Sequence, residues 1–318
     1  MGDHPGDKTL TTTDTHPAQK RFLFSILLTG LILVAEIVGG LVSGSLALLS
    51  DAAHVFSDIF ALGLSYFALR LATRPPDDQH SYGWHRTEVI AALINGASLL
   101  VIAIGIWVEA IQRWQTPVEI KSTTMLIIAV IGLVVNIIVA IILGGHGHHA
   151  HEHSHAPSKG EKRNLNVQSA YLHVLGDLIS SIGVIIAALL IRLTSARWID
   201  PLISILIGAI ILVSAYRVLK SALHILIEGV PAGLSVNDIR RSISALEDVD
   251  TIHDLHVWNL GSEEVSLSAH VVLNDANVDQ QAIVMKQIKE VLSREFGIEH
   301  TTLQFEQTRC GEGHGGCN

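Results

Sequence analysis

Six stretches of about twenty apolar residues constrain this chain more than any other feature. They fall at about 22–42, 46–70, 87–111, 123–143, 167–191 and 199–219. Each is long enough to cross a hydrocarbon core of about 30 Å as a helix. Backbone in lipid must satisfy its own hydrogen bonds, so the expected fold is a polytopic α-helical membrane protein with six transmembrane helices. Composition agrees: 49% of the residues are hydrophobic and 16% charged, with a mean hydropathy of +0.43. Soluble domains carry about 25% charge, which argues against a soluble enzyme. A net charge of −9 argues against nucleic acid as a partner. Two cysteines near the C-terminus cannot build a disulfide framework. The first stretch is too long, and lacks the small-residue cleavage site, of a cleaved signal peptide.

Charge places the loops. Lys8, Lys20, Arg21, Arg70, Arg74, Arg86, Lys159, Lys162, Arg163, Arg217 and Lys220 fall on the side of the termini, whereas the opposite loops carry Arg113, Lys121, Arg192 and Arg197. The excess of Lys and Arg predicts that both termini are cytoplasmic. The expected organisation is a flexible N-terminus over 1–21, a membrane domain over 22–220 and a cytosolic domain over 221–318. The acidity sits in that last part, with a net of −8 over residues 229–318. Its pattern predicts a helix at Ser235–Glu247, strands at Ile252–Leu260 and Val265–Leu273, a helix at Val278–Phe296 and a strand at Thr301–Glu306. The order αββαβ makes a small α+β layer.

Ionisable residues inside the spans are expensive and therefore informative. The second stretch contains His54 and Asp58, the fifth His173 and Asp177, and both pairs read H-x3-D. That spacing puts each pair on one helix face, one turn apart. On facing helices the pairs supply two imidazole nitrogens and two carboxylate oxygens, a set suited to tetrahedral Zn²⁺. Imidazole binds metal when neutral and carboxylate when ionised, so binding releases protons. A site that trades Zn²⁺ for protons and faces each side in turn is a metal/proton antiporter. Pairing of each Asp with its own His or with backbone is the plainer alternative. Asp51, three residues before His54, reads as a supporting or cavity-lining group. Glu36, Asn95, Glu109 and Asn136 read as helix–helix or interfacial polar groups.

The phrases GSLALLSDAAHVFSD, SYGWHRTEVIAALING, LNVQSAYLHVLGDLISSIGV, ILIEGVP and HDLHVWNL resemble the cation diffusion facilitator family. The similarity is greatest to its zinc-exporting branch of bacterial ZitB-type exporters and animal zinc transporters. It covers about residues 20 to 310. The resemblance implies a homodimer with metallochaperone-like cytosolic domains and proton-driven Zn²⁺ efflux by alternating access. It also carries the transport site onto His54, Asp58, His173 and Asp177. A His at the first of these positions implies preference for zinc over larger, softer Cd²⁺; a broader Cd²⁺/Zn²⁺ exporter is the alternative.

The other histidines sort by place. His146, His148, His149, His151, His153 and His155 crowd a low-complexity loop, which reads either as a weak Zn²⁺-capturing tract or as a solvated linker. His80 reads as a loop residue, while the resemblance makes His85 an interfacial metal ligand. In the tail it implies a regulatory zinc site of His253, His270 and Glu306, joined by Cys310 and Cys317; a surface histidine cluster satisfied without metal is the plainer alternative. The spacing here is C-x6-C with His314 between, unlike the C-x2-C of animal relatives. His256 and His300 read as supporting or dimer-interface groups, and His224 as structural. Arg86 or Lys220 is expected to pair with Glu228 or Asp200 and tie membrane segment to tail. Three other classes fit less well. No H-E-x-x-H marks a membrane metalloprotease, the tail has no signalling signature, and a tight four-ligand site is ill-suited to a passive channel.

Overall fold

Every apolar stretch of the sequence is a helix. The computed structural model describes residues 16–144, 165–262, 264–274 and 278–306, with side chains over 27–139, 141, 178–262, 264–274 and 281–306. The helices are α1 (His16–Ser43), α2 (Leu46–Ala72), α3 (Arg86–Gln115), α4 (Ser122–Gly144), α5 (Leu165–Thr194) and α6 (Ile199–Leu226). Among the described residues, α2, α3, α6 and Ser122–Val139 of α4 are each long and apolar enough to cross a membrane. The described apolar parts of α1 and α5 are Leu27–Ser43 and Leu178–Thr194. Leu27, Leu31, Val34, Val38 and Leu41 leave one side of α1 apolar and exposed, as do Val101, Ile104, Val108 and Ile111 on α3. Lipid, not protein, is the solvent such faces suit.

The chain divides into two units, residues 1–59 with 102–211, and residues 60–101 with 212–318. In the first, α4 packs against both α1 and α5. Without a hydrophobic drive inside lipid, such packing needs small residues that let backbones approach. Gly39 does this for α1 and α4: a Cβ there would lie 2.1 Å from Ile128 Cδ1. Gly44 turns α1 into α2 at a φ of +73°, where a side chain would also meet the Glu119 carbonyl oxygen at 2.9 Å. Trp107 on α3 donates its indole N–H to the Ile205 carbonyl at 3.1 Å, closing α3 onto α6.

In the second unit, Thr87 Oγ1 donates to the Ala68 carbonyl at 3.2 Å, joining α3 to α2. Helix α6 continues beyond the expected 219 to Leu226, because no breaker comes before Gly229 and Pro231. The chain then turns at Glu228 (φ 60°). His224 Nε2 holds this turn against the Val230 carbonyl at 2.9 Å, the structural role expected of it.

The tail follows the expected αββαβ order, as α7 (Val236–Ser244), β1 (Val249–Asn259), β2 (Val265–Leu273), α8 (Val278–Phe296) and β3 (His300–Glu306). Ser235 is the N-cap of α7 and accepts from the Asp238 N–H. The helix stops short of Glu247 because the N–H of Ala245 already closes back on Arg241 and Ile243, and Leu246 turns into the core. The sheet order is β1-β2-β3, with β1 antiparallel and β3 parallel to β2. One sheet face and both helices enclose a core that includes Ile239, Ile243, Leu267, Val271, Ile288 and Leu292, all fully buried. Each such side chain contributes about 1.5–3 kcal/mol on leaving water. A bulge between His253 and His256, with Asp254 at a φ of 49°, breaks the two-residue alternation of β1. Ile252, Leu255 and Val257 can therefore all reach the core.

Candidate metal sites

The sheet register assembles the tail site. His253 lies opposite His270 across β1 and β2, and His270 opposite Gln304 across β2 and β3. Glu306 is two residues beyond Gln304, so the two imidazoles and the carboxylate share the sheet face opposite the core. One ligand atom from each of His253, His270 and Glu306 lies within 4.8 Å of the others. His253 Nε2 is 3.2 Å from Glu306 Oε2 and His270 Nδ1 is 3.0 Å from Glu306 Oε1. Neither contact has hydrogen-bond alignment. Both nitrogens of His253, Nδ1 of His270 and Oε2 of Glu306 are buried without a hydrogen-bond partner among the described residues. Buried polar atoms are nearly always paired, and convergence without pairing is what ligands awaiting an ion display. Two imidazoles and a carboxylate are also the donor types zinc accepts, at about 2.0–2.2 Å. The residues fit a metal.

Beside this group, Asp254 Oδ2 is 3.7 Å from His270 Nε2, and Asp254 Oδ1 is 2.8 Å from His256 Nε2. The bulge that aims Asp254 was not legible in the alternation of β1. His300 packs edge-on against Tyr82 with ring centres 5.8 Å apart. Cys310, Cys317 and His314 lie outside the described residues.

The loop before α3 meets the tail. His85 Nδ1 stands 3.6 Å from Glu264 Oε2, and a Cβ on Gly261 would be 3.0 Å from His85 Cβ. Arg86 pairs with Glu228 at 3.0 Å, which selects one of the pairings expected between membrane segment and tail. Glu88 accepts from Ser262 in the same place. His80 is a loop residue as expected: Nδ1 lies 3.0 Å from Asp77 Oδ1, and the ring stacks on Trp84 at 3.8 Å.

Within the membrane helices, His54 and Asp58 stand one turn apart on α2, both half-buried. His173 and Asp177 fall within α5, but their side chains lie outside the described residues. So do the loop histidines His146, His148, His149, His151, His153 and His155.

Three buried carboxylates flank these helices. Asp51 receives the Ser180 hydroxyl at 2.5 Å and the Ser181 hydroxyl at 3.3 Å, and Asn136 Nδ2 lies 3.4 Å from Ser181 Oγ. Asp51 thus ties α2 to α5 through these two hydroxyls. Asp200, fully buried, accepts from Ser45 Oγ at 2.6 Å and from the N–H groups of Leu46 and Ala47 at 2.8 and 3.1 Å. It caps α2 from the start of α6, and Arg113 lies 3.9 Å away. Glu109 pairs with Arg113 on its own helix at 2.8 Å. Glu36 is the exception: it is 1% exposed, and both carboxylate oxygens lack a hydrogen-bond partner among the described residues. The cap by Asp200 escaped sequence reasoning, although an acidic residue opening an apolar helix was its signal.

Residues 22–227 match the cation efflux transmembrane domain and residues 231–308 the cytoplasmic domain of cation efflux proteins. The metal cation efflux system protein CzcD of Cupriavidus metallidurans is 39% identical over 97% of this chain and 90% of its own length. The cadmium, cobalt and zinc/H⁺-K⁺ antiporter of Bacillus subtilis is 40% identical over 88% and 86%. The zinc transporter ZitB of Pectobacterium atrosepticum is 39% identical over 93% and 88%. The solved metal-bound C-terminal domain of the CzcD transporter aligns with 23% of this chain and 99% of its own, at 38% identity and a TM-score of 0.22. The chain belongs to the cation efflux family of membrane transporters.

Proposed function

We propose that this protein exports Zn²⁺ from the cytoplasm in exchange for protons. Alternating access to a tetrahedral site of His54, Asp58, His173 and Asp177 carries the ion. The observation that carries this reading is the pairing of His54 with Asp58, half-buried and one turn apart on α2, repeated by His173 and Asp177 on α5. Ligands that are neutral imidazole and ionised carboxylate couple metal binding to proton release. A histidine-containing quartet and the zinc-named relatives favour zinc. The Bacillus relative, named for cadmium, cobalt and zinc, supports a second reading as a broader divalent-metal exporter. In either case His253, His270 and Glu306, with or without Cys310 and Cys317, form a regulatory zinc site. His85 serves at the membrane–tail junction, and the loop histidines capture ions. The working unit is a homodimer in a bacterial inner membrane, with both termini cytoplasmic and the tail domain following α6.

The test is zinc uptake into inside-out vesicles under an imposed pH gradient. The parent protein accumulates zinc, and Asp58→Ala or Asp177→Ala lowers accumulation by about tenfold or more, since each removes a ligand. Unchanged uptake in either variant refutes the site, and uptake indifferent to the gradient refutes antiport. Competition by Cd²⁺ at equal concentration separates the zinc-selective from the broader reading.

A further inference from the structure

Among the described residues, Glu36 is the one buried carboxylate named above whose two oxygens both lack a hydrogen-bond partner. It lies in the apolar run Leu27–Ser43 of α1, which carries no other titratable side chain. Its Oε1 faces Gly132 of α4, where a Cβ would come within 2.6 Å, so glycine is the residue that leaves the carboxyl its space. Ile32 of α1 fills the adjacent position, 3.7 Å from the same point. The charged group that acts on Glu36 is Asp51 of α2. Asp51 is itself met by the hydroxyls of Ser180 and Ser181 of α5, and α4 adds Asn136 one turn beyond Gly132. Of these two buried acids, Asp51 receives two hydroxyl donors, whereas Glu36 receives none among the described residues.

A carboxylate buried without donors is costly in a low-dielectric interior, and an intramembrane acid is retained where it serves a path for ions. The surroundings select the ion. Alkali and divalent cations of the hard class need a shell of oxygen ligands to replace their water. Glu36 offers its own two oxygens, and no hydroxyl, amide or backbone group bonds to either among the described residues. A proton needs no shell. We propose that Glu36 is a proton-carrying site of the transport cycle, distinct from the metal quartet, which takes up a proton on a carboxylate oxygen as the metal leaves and releases it as metal returns. Asp51 connects the two: its charge acts on Glu36, and it lies one turn before His54 on α2. Charge at Glu36 favours the cation at the quartet, and a proton there favours its departure; by linkage, metal occupancy acts back on the proton equally. The inference rests on the proton-coupled reading given above.

The experiment uses the full chain in proteoliposomes and two assays. One follows zinc accumulation driven by a pH gradient, with protons released per zinc read by an internal dye. The other follows exchange of radioactive for cold zinc at equal pH on both sides, which needs no net proton movement. For Glu36→Gln, exchange stays within about twofold of the parent, whereas gradient-driven accumulation and proton release fall by about tenfold. Gly132→Ala, which crowds the carboxyl without touching a proposed ligand, shifts the same two assays apart in the same direction, by a smaller factor. Glu36→Asp recovers part of the driven transport. If Glu36→Gln keeps the parent's accumulation and proton release, the proposal is overturned while antiport stands. If exchange and driven transport fall together in both variants, or neither variant folds, Glu36 is structural and the proposal is again overturned. A parent protein that ignores the gradient overturns the antiport reading and this inference with it.

Discussion

Asp200 at the start of α6 and Glu306 at the end of β3 are both shielded carboxylates, and they are treated in opposite ways. Asp200 is saturated: one hydroxyl and two backbone N–H groups donate to it, and Arg113 stands behind. Glu306 sits among imidazole nitrogens at 3.0 and 3.2 Å, and although Gln304 donates to its Oε1 at 2.9 Å, its Oε2 accepts no hydrogen bond among the described residues. Saturation commits a charge to holding helices together. Leaving donor atoms convergent and unpaired costs stability in the empty protein and reserves them for an ion. The contrast separates structural acids from acids that serve a ligand.

The contrast breaks first at Asp200. Asp200→Ala removes the cap of α2 and leaves the Ser45 hydroxyl, two N–H groups and the Arg113 guanidinium without their acceptor. A buried charge network that loses one member costs about 3–5 kcal/mol. In detergent this lowers the thermal midpoint by roughly 10 °C. Asp200→Asn keeps an acceptor oxygen and loses about half as much. If Asp200→Ala unfolds like the parent, saturation is not what holds the start of α2, and the distinction fails.

In the tail the expected sign is reversed. Glu306→Gln or His253→Ala leaves the metal-free protein as stable as before or slightly more so, because the atoms removed or neutralised cost stability while no ion holds them. The gain appears with zinc: at a hundredfold excess over Kd, the parent is stabilised by about 2.7 kcal/mol, and each variant loses most of it. The measurement is thermal unfolding of the full-length protein with zinc and with a chelator, read from a probe in the tail. A variant that weakens the metal-free protein by as much as Asp200→Ala would make the triad a structural cluster.

How legible each region was follows from the range of its contacts. The six helices were readable because apolar length is a local property, and the tail order because Gly261, Ser235 and the alternation of Val265–Leu273 are local signals. The triad of His253, His270 and Glu306 came from family likeness, since strand register is a long-range fact that periodicity does not carry. The bulge at Asp254 escaped for a related reason: one extra residue in β1 reverses the alternation, and nothing in TIHDLHVWN announces it. Ser45 and Asp200 are 155 residues apart, so the cap could not be read from either segment alone. The bonds from Ser180 and Ser181 to Asp51 could not be read beforehand, because both are small polar residues of a kind common in any membrane helix.

The smallest effect belongs to a charge pair that is neither saturated nor reserved. Arg86 and Glu228 meet at 3.0 Å with side chains 44% and 62% exposed. Water competes for both ends, and holding two long side chains costs entropy, so such a pair contributes about 0.2–1 kcal/mol. Arg86→Gln should therefore lower the thermal midpoint by no more than a few degrees, and by less still in 0.5 M salt, where charges are screened. Glu228→Gln should match it, and the double variant should add little to either single one. A coupling energy well above this range in that double-mutant cycle would mean that exposure is a poor guide to an acid's role here. Glu228 would then belong with Asp200, and the junction of α3 with the turn after α6 would be held by charge and not by the packing of Gly261 against His85.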